Sequence, residues 1–229
     1  MASTFAERLE DVRGRMARAA KRSGRSPEAV TLIAVSKTHP AKVVAEAVAA
    51  GLTDFGENRV QEGVAKASDL ALTLGPTAPV LGTYRWHLIG HLQTNKVRAA
   101  LQTFAILHAV DSERLLQAIS AAATKPTPVM IEVNVAAEPS KYGIAPAHLP
   151  VLLERARELP NIEVRGLMTV APLVSEAEQA RGVFAELRKL AEEHRLAELS
   201  MGMTNDYEVA IEEGATHVRI GRALFGERE

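Results

Sequence analysis

A lysine directly follows an apolar run near the amino end of the chain. The run spans Thr31–Ser36, Lys37 comes next, and Pro40 can open a helix beyond it. Such a run predicts a buried strand, which places the Lys37 amine at the carboxyl end of that strand. Partial burial disfavours an ammonium charge, and the neutral amine is the form that attacks an aldehyde. On this segment alone, a solvated lysine at a strand tip is an equally good interpretation.

Two turns towards the carboxyl end carry groups suited to an anion. Thr204 precedes a predicted helix, and Gly221 and Arg222 follow the last predicted strand. Glycine lets backbone N–H groups approach an anion closely, and a hydroxyl beside a helix start can bond phosphate oxygens. Taken singly, Gly221 fits a simple turn and Thr204 fits a helix N-cap. Both interpretations therefore stay open on these segments alone.

Charged and imidazole side chains elsewhere suggest weaker candidates. Arg219 lies inside an apolar strand, so it must either reach the open end of that strand or pair with a carboxylate. His87 and His91 are four residues apart, but on a strand and a turn, so no metal site is predicted. Glu57 and Glu62 are suited either to acid–base chemistry or to helix capping.

Alternating strands and helices must position these residues. The predicted strands are Thr31–Ser36, Asp54–Phe55, Trp86–Gly90, Ala105–Val110, Val129–Val135, Glu163–Thr169, Glu198–Met201 and His217–Ile220. The predicted helices are Thr4–Arg22, with Ser3 as its N-cap, then Ala41–Ala50, Val60–Leu70, Asn95–Leu101, Ser112–Thr124, Ala147–Leu159, Ser175–His194 and Asp206–Glu213. A loop is predicted at Gly75–Pro79.

This alternation predicts an α/β protein, with one domain over residues 1–229. Eight strand–helix units of roughly 25 residues, after a leading helix, favour a single-domain (β/α)8 TIM barrel. An open, doubly wound parallel sheet is the alternative. In the barrel, reactive groups gather at the carboxyl ends of the strands, and the candidate residues fall at those ends.

Composition excludes several classes of function. The chain has 229 residues, a formal net charge of −1 and no cysteine. No general attraction to nucleic acid or to an anionic membrane is expected, and thiolate chemistry is excluded. The sequence has no apolar stretch near the roughly 20 residues of a membrane helix. We therefore expect a cytoplasmic protein.

Ordered blocks along nearly the whole chain resemble a known family. They are 32–38 (LIAVSKT), 55–62 (FGENRVQE), 86–96 (WHLIGHLQTNK), 166–169 (GLMT), 199–206 (LSMGMTND), 218–222 (VRIGR) and 225–226 (FG). The sequence is similar in these blocks to the pyridoxal 5′-phosphate (PLP) homeostasis proteins, barrels related to the N-terminal domain of alanine racemases. Thr204 stands where that family usually has serine, which keeps the hydroxyl, and Leu224 stands where isoleucine is frequent.

The resemblance implies roles for six residues. Lys37 would carry PLP as a Schiff base, Arg219 would face the pyridine nitrogen, and Asn58 would lie near the ring. Thr204, with the backbone at Gly221 and Arg222, would hold the phosphate. Lys141 and Lys96 are candidates for a secondary aldehyde site.

These roles favour a PLP carrier in vitamin B6 homeostasis rather than an efficient enzyme. A permanently charged Arg219 opposes protonation of the ring nitrogen, and a neutral ring is a weaker electron sink. Alanine racemases add a β domain that supplies a catalytic tyrosine, a role expected of none of Tyr84, Tyr142 and Tyr207. The expected partners are PLP and, transiently, PLP-requiring apo-enzymes, and the expected state is a monomer. The alternatives are a low-efficiency amino-acid racemase or another Schiff-base lyase, and an aldolase that uses Lys37.

Overall fold

A closed barrel of eight parallel strands forms the centre of the protein. The computed structural model describes residues 3–75 and 84–226. The strands are β1 (Thr31–Val35), β2 (Asp54–Glu57), β3 (Arg85–Leu88), β4 (Ile106–Val110), β5 (Thr127–Glu132), β6 (Ile162–Met168), β7 (Glu198–Met203) and β8 (His217–Ile220). Each strand pairs with the next along the chain, and β8 pairs with β1, which closes the barrel. The predicted barrel is confirmed, and the alternative of an open sheet is wrong.

Helices surround the strands in the predicted order. They are α1 (Phe5–Arg22), α2 (Ala41–Ala49), α3 (Val60–Leu74), α4 (Val97–Thr103), α5 (Glu113–Ala122), α6 (Leu149–Glu158), α7 (Arg181–Glu193), α8 (Tyr207–Glu212) and α9 (Arg222–Phe225). Short 3₁₀ turns at Thr94–Lys96, Pro146–His148 and Ala177–Ala180 precede α4, α6 and α7, and a fourth lies at Pro27–Ala29. Of the predicted loop, only Gly75 lies within the described residues.

The leading helix α1 packs on the outside of the barrel. Its N-cap is Thr4 rather than the predicted Ser3, because Thr4 and Glu7 form a reciprocal capping box. Leu9, Val12 and Met16 are buried on one face of α1. Arg15 and Arg22 of the same helix form ion pairs with carboxylates of α8, so both apolar contacts and charges attach α1 to the barrel.

The interior of the barrel is unusually polar. Branched apolar side chains commonly fill the interior of this fold. Here His87, His108, Ser200 and Arg219 are buried on four different strands and hydrogen-bond to one another. A buried polar group is costly unless it is hydrogen-bonded, so these four side chains depend on one another for their hydrogen-bond partners.

Candidate functional site

A cavity of about 780 Å³ opens at the carboxyl ends of the strands. Its lining includes all six residues to which the resemblance assigned roles, namely Lys37, Asn58, Thr204, Arg219, Gly221 and Arg222. They come from the ends of β1, β2, β7 and β8, as the barrel interpretation required. The fold therefore brings together residues that lie up to 185 positions apart in the sequence.

Close backbone contacts place two of these residues. A Cβ at Gly90 would lie 2.4 Å from the carbonyl oxygen of Asn58, so only glycine lets the segment after β3 approach Asn58 so closely. Gly202 has a φ of +90°, and a Cβ there would lie 2.5 Å from the Cβ of Ala210. Gly202 thus directs the end of β7 towards Thr204 in a conformation that side chains disfavour.

Positive charge dominates the cavity. Its charged lining, within the described ranges, consists of the cations Lys37, Lys141, Arg219 and Arg222 and one carboxylate, Asp206. The carboxylate of Asp206 accepts a hydrogen bond from the backbone N–H of Met203 at 2.6 Å, which commits one of its oxygens to the turn. An anionic ligand is therefore favoured here over a cationic one.

Lys37 itself is half-buried, and its neighbours on the chain are tightly held. Thr38, the next residue, has a left-handed φ of 69°, and its N–H donates to the carboxylate of Glu62. On the other side, the carbonyl of Ser36 accepts from Lys66 Nζ at 2.7 Å. In the part of the chain that the structure describes, no hydrogen bond or ion pair engages the Lys37 amine.

A buried ion cluster lies behind this segment. Lys66 Nζ contacts Glu57 Oε1 at 2.6 Å and Glu62 Oε1 at 3.1 Å, and Ser36 Oγ donates to the same Glu57 oxygen at 2.7 Å. Burial raises the pKa of the Glu57 carboxyl, an effect that the contacts with Lys66 and Ser36 oppose. Glu57 and Glu62, considered above as acid–base or capping groups, instead fix the position of the Lys37 backbone.

The Arg219 guanidinium lines the cavity and is fixed by two hydrogen bonds. Nη1 donates to Ser200 Oγ at 2.7 Å, and Nη2 donates to the Thr169 carbonyl at 2.8 Å. Burial lowers the pKa of Arg219 to about 10, an effect that the nearby Glu132 and Asp206 carboxyls oppose. Arg219 therefore remains a cation near neutral pH.

Glu132 on β5 is a buried carboxyl whose charge changes near neutral pH. Burial, reinforced by the charge of Asp111, raises its pKa to about 7, while Arg219 opposes the rise. A carboxyl whose folded pKa lies above its unfolded value stabilises the protein below pH 4.5 relative to higher pH. That contribution is lost as the pH rises through about 7.

We expect Glu132→Gln to be more favourable to stability, relative to the unsubstituted protein, at pH 8 than at pH 5. Between pH 5 and pH 8, the folded and unfolded pKa values imply a difference of about 2.5 kcal/mol in the free energy of unfolding. Urea unfolding at pH 5, 6, 7 and 8 measures this difference. Glu163→Gln, at an exposed carboxylate, controls for loss of one negative charge. A Glu132→Gln effect that is independent of pH would contradict the assignment.

A chain of hydrogen bonds crosses the barrel beneath Arg219. Asp54 Oδ1 lies 2.8 Å from His87 Nε2, His87 Nδ1 lies 2.9 Å from His108 Nε2, and His108 Nδ1 lies 2.9 Å from Ser200 Oγ. Ser200 also accepts from Arg219. We call Asp54, His87, His108 and Ser200 the barrel relay. His87, considered above with His91, therefore contributes to the interior of the barrel.

The remaining candidates lie at or near the mouth of the barrel. Lys141 lines the cavity, but its amine already contacts Glu138 Oε1 at 2.6 Å and the Ala171 carbonyl at 2.8 Å. Lys96 is not among the residues that line the cavity. His91 stacks on Tyr142, with ring centroids 4.3 Å apart.

Several residues of these networks, Lys66, His108 and Glu132 among them, were not predicted from the sequence as site residues. Lys66 falls on the buried stripe of α3 with Gly63 and Leu70, and a lysine on such a stripe indicates a buried partner. His108 lies in the middle of an apolar strand, and Glu132 ends one. A polar residue within an apolar run was the available signal in each case.

Two particular features are absent from residues 3–75 and 84–226. No helix there is both long enough and apolar enough to cross a membrane. No group of three or more His, Asp or Glu side chains in those ranges is arranged to hold a metal ion.

The barrel belongs to the class of the alanine racemase N-terminal domain, because residues 8–229 match the model of that family. The Pyridoxal phosphate homeostasis protein of Pseudomonas aeruginosa is 45% identical over 232 residues, covering 99% of this chain and 97% of that protein. The protein of the same name from Escherichia coli is 42% identical over 235 residues, covering 98% and 97%. The chain belongs to the pyridoxal phosphate homeostasis protein family.

Solved structures agree with this assignment. PipY of Synechococcus elongatus, solved with PLP bound, matches with a TM-score of 0.80 at 38% identity, covering 97% of this chain and 100% of that one. The alanine racemase of Corynebacterium glutamicum matches with a TM-score of 0.68 at 17% identity, covering 96% of this chain and 62% of the racemase. At that identity the likeness shows a shared fold alone.

Proposed function

We propose that this protein binds PLP covalently through Lys37 and serves as a PLP carrier in vitamin B6 homeostasis, without efficient turnover. The observation that carries the proposal is the cavity itself, in which the Lys37 amine, with no hydrogen bond or ion pair to residues 3–75 and 84–226, lies among three further cations. A phosphorylated aldehyde is the chemical class that fits such a set of groups. The relatives named above support PLP as that aldehyde.

Each lining residue would then have a defined role. When bound, PLP supplies an aldehyde that condenses with an amine, and Lys37 would be that amine. The Thr204 hydroxyl and the backbone at Gly221 and Arg222 would hold the phosphate. Arg219 would face the pyridine nitrogen, and Asn58 would lie beside the ring. The gathering of these residues in one cavity supports the proposed roles.

The interior charges support retention of the ligand rather than catalysis. A cationic Arg219 opposes a proton on the ring nitrogen, which keeps the ring a weak electron sink. Two-base racemisation also needs a second acid–base group. Tyr84, Tyr142 and Tyr207 are the three tyrosines of the chain, and none of them lines the cavity. Slow racemisation therefore remains the alternative to be tested.

We further propose that residues 1–229 form one PLP-binding domain, which the closed single barrel supports. PLP-requiring apo-enzymes are the proposed transient partners, because a reactive aldehyde held reversibly on a lysine can be passed to another amine. A cytoplasmic location and a monomeric state stay predictions from the sequence.

Two assays on one PLP-loaded sample test the carrier proposal. We expect mixing with an excess of a PLP-dependent apo-enzyme to restore the activity of that enzyme while the carrier loses its visible absorption band. In deuterated water with L-alanine, we expect no exchange of the α-hydrogen above the rate with free PLP. Failure to activate the apo-enzyme, or α-hydrogen exchange well above that of free PLP, would contradict a carrier without efficient turnover.

A further inference from the structure

The barrel relay has a fixed direction, because its two ends are chemically different. Arg219 can only donate hydrogen bonds, whereas an ionised Asp54 can only accept them. Burial opposes ionisation of Asp54, but hydrogen bonds from His87, Arg85 and Thr53 outweigh this effect and lower its pKa. Asp54 is therefore an acceptor at neutral pH, and His87 Nε2 carries the hydrogen that points to it.

The direction then follows from one residue to the next. Burial, reinforced by nearby positive charge, lowers the pKa of His108 well below its usual range, so His108 is neutral. His87 Nε2 donates to Asp54, and we assign His87 Nδ1 as the acceptor of the His108 Nε2–H, which leaves His108 Nδ1 as an acceptor. The hydroxyl of Ser200 donates to that nitrogen, and the lone pairs of the hydroxyl are then available to Arg219. Each hydrogen bond of the relay thus joins one donor to one acceptor.

Burial favours this one arrangement of hydrogen atoms over the alternatives. His87, His108 and Ser200 are each 0% exposed, so water does not replace a lost partner. A buried polar group left without its partner carries its full desolvation penalty, which holds each hydroxyl and imidazole in its assigned orientation. The Arg219 guanidinium is fixed on one side by this chain and on the other by the Thr169 carbonyl. The part of the Arg219 guanidinium that faces the cavity is thereby held in one orientation.

We propose that His108 and Ser200 are positioning residues for the cofactor site: they orient Arg219 so that its charge opposes protonation of the bound ring. This inference rests on the proposed function, because it assumes that PLP occupies the cavity. It assigns to the interior of the barrel a role in setting the electronic state of a ligand that His108 does not contact. Asp54 and His87 form the end of the relay farthest from Arg219, and they fix the direction of its hydrogen bonds.

The test is the pH dependence of the ring-nitrogen 15N NMR signal of the protein loaded with 15N-labelled PLP, because that signal reports protonation of the ring directly. We expect Ser200→Ala and His108→Gln to raise the pH midpoint of ring-nitrogen protonation by about one unit or more, since a less constrained guanidinium opposes ring protonation less. The same variants should retain PLP about tenfold less tightly. Ser200→Thr keeps the hydroxyl and should restore both values. The titrating and charged groups around Arg219 that stay unchanged are Glu132, Asp206 and His217.

The control is His217→Gln. His217 is a buried histidine of the same cluster, with its ring centroid 5.8 Å from that of His108, but it hydrogen-bonds to Thr216 rather than to the relay. We expect His217→Gln to leave the midpoint unchanged. Should His108→Gln not fold, Ser200→Ala, which removes a single oxygen atom, still decides the outcome.

Distinct results would overturn distinct claims. Spectra of Ser200→Ala and His108→Gln that superimpose on the unsubstituted spectrum would overturn the positioning role alone. So would an equal shift in His217→Gln, because it would indicate a general effect of altering the barrel interior. An unsubstituted protein with no visible band in excess PLP would instead overturn the proposed function, and this inference with it.

Discussion

Lys37→Ala is expected to abolish the visible absorption band that appears when the protein is loaded with PLP. The physical reason is the position of the amine in the cavity. Lys37 is half-buried just after the end of β1, and within the described residues no hydrogen bond or ion pair commits its amine elsewhere. Covalent attachment needs a neutral amine beside the aldehyde, and alanine removes it. Absorbance after removal of excess PLP by gel filtration measures the loss.

The other lysine of the cavity offers a matched control. Lys141 lines the same cavity, but Glu138 and two backbone carbonyls, of Val170 and Ala171, already engage its amine. We expect Lys141→Ala, and likewise Lys96→Ala, to keep the band of the unsubstituted protein. If Lys37→Ala kept the band and Lys141→Ala lost it, the attachment site would be at Lys141 instead.

Lys66→Met is expected to destabilise the fold by roughly 3–5 kcal/mol, the cost of breaking a buried ion pair by removal of one partner. The Lys66 amine is 2.6 Å from a carboxylate oxygen of Glu57, a residue that is 0% exposed. Without Lys66, Glu57 must stay charged in the interior or take up a proton. Urea unfolding at pH 7 measures the change in the free energy of unfolding.

The same substitution should also loosen the PLP site. Lys66 holds the Ser36 carbonyl, and Glu62 holds the Thr38 N–H, so both neighbours of Lys37 depend on the cluster. We therefore expect weaker retention of PLP by the folded fraction of Lys66→Met. Lys42→Met, at an exposed position on α2, controls for the loss of a positive charge. Equal stability of the Lys66 and Lys42 variants would contradict a stabilising role for the ion cluster around Lys66.

Much of the barrel could be predicted because its strands are short apolar runs between clear helix signals. His217–Ile220 was predicted with the observed bounds, and Ser112 caps α5 as its sequence indicates. The largest errors were at helix ends, since α7 begins at Arg181 rather than Ser175 and α3 extends to Leu74 rather than Leu70. Strand ends differ by less. β2 reaches Glu57 rather than Phe55, because Gly56 and Glu57 pair with β3, and that pairing depends on a distant segment.

The interactions that cross the barrel could not be predicted from local pattern. His108 and Ser200 lie 92 positions apart on β4 and β7, and only closure of the barrel brings them together. The helix α9 is four residues long, too short for a periodic signal. By contrast, the six cavity residues lie at strand ends or in the turns that follow, so the fold class alone predicts that they share one mouth.

The central claim is that the Lys37 amine takes up PLP, and one measurement tests it most directly. The protein is incubated with excess PLP, reduced with borohydride, digested, and its peptides are analysed by mass spectrometry. We expect a reduced pyridoxyl adduct on the peptide that contains residue 37. A fully reduced sample with no adduct on that lysine would contradict the account.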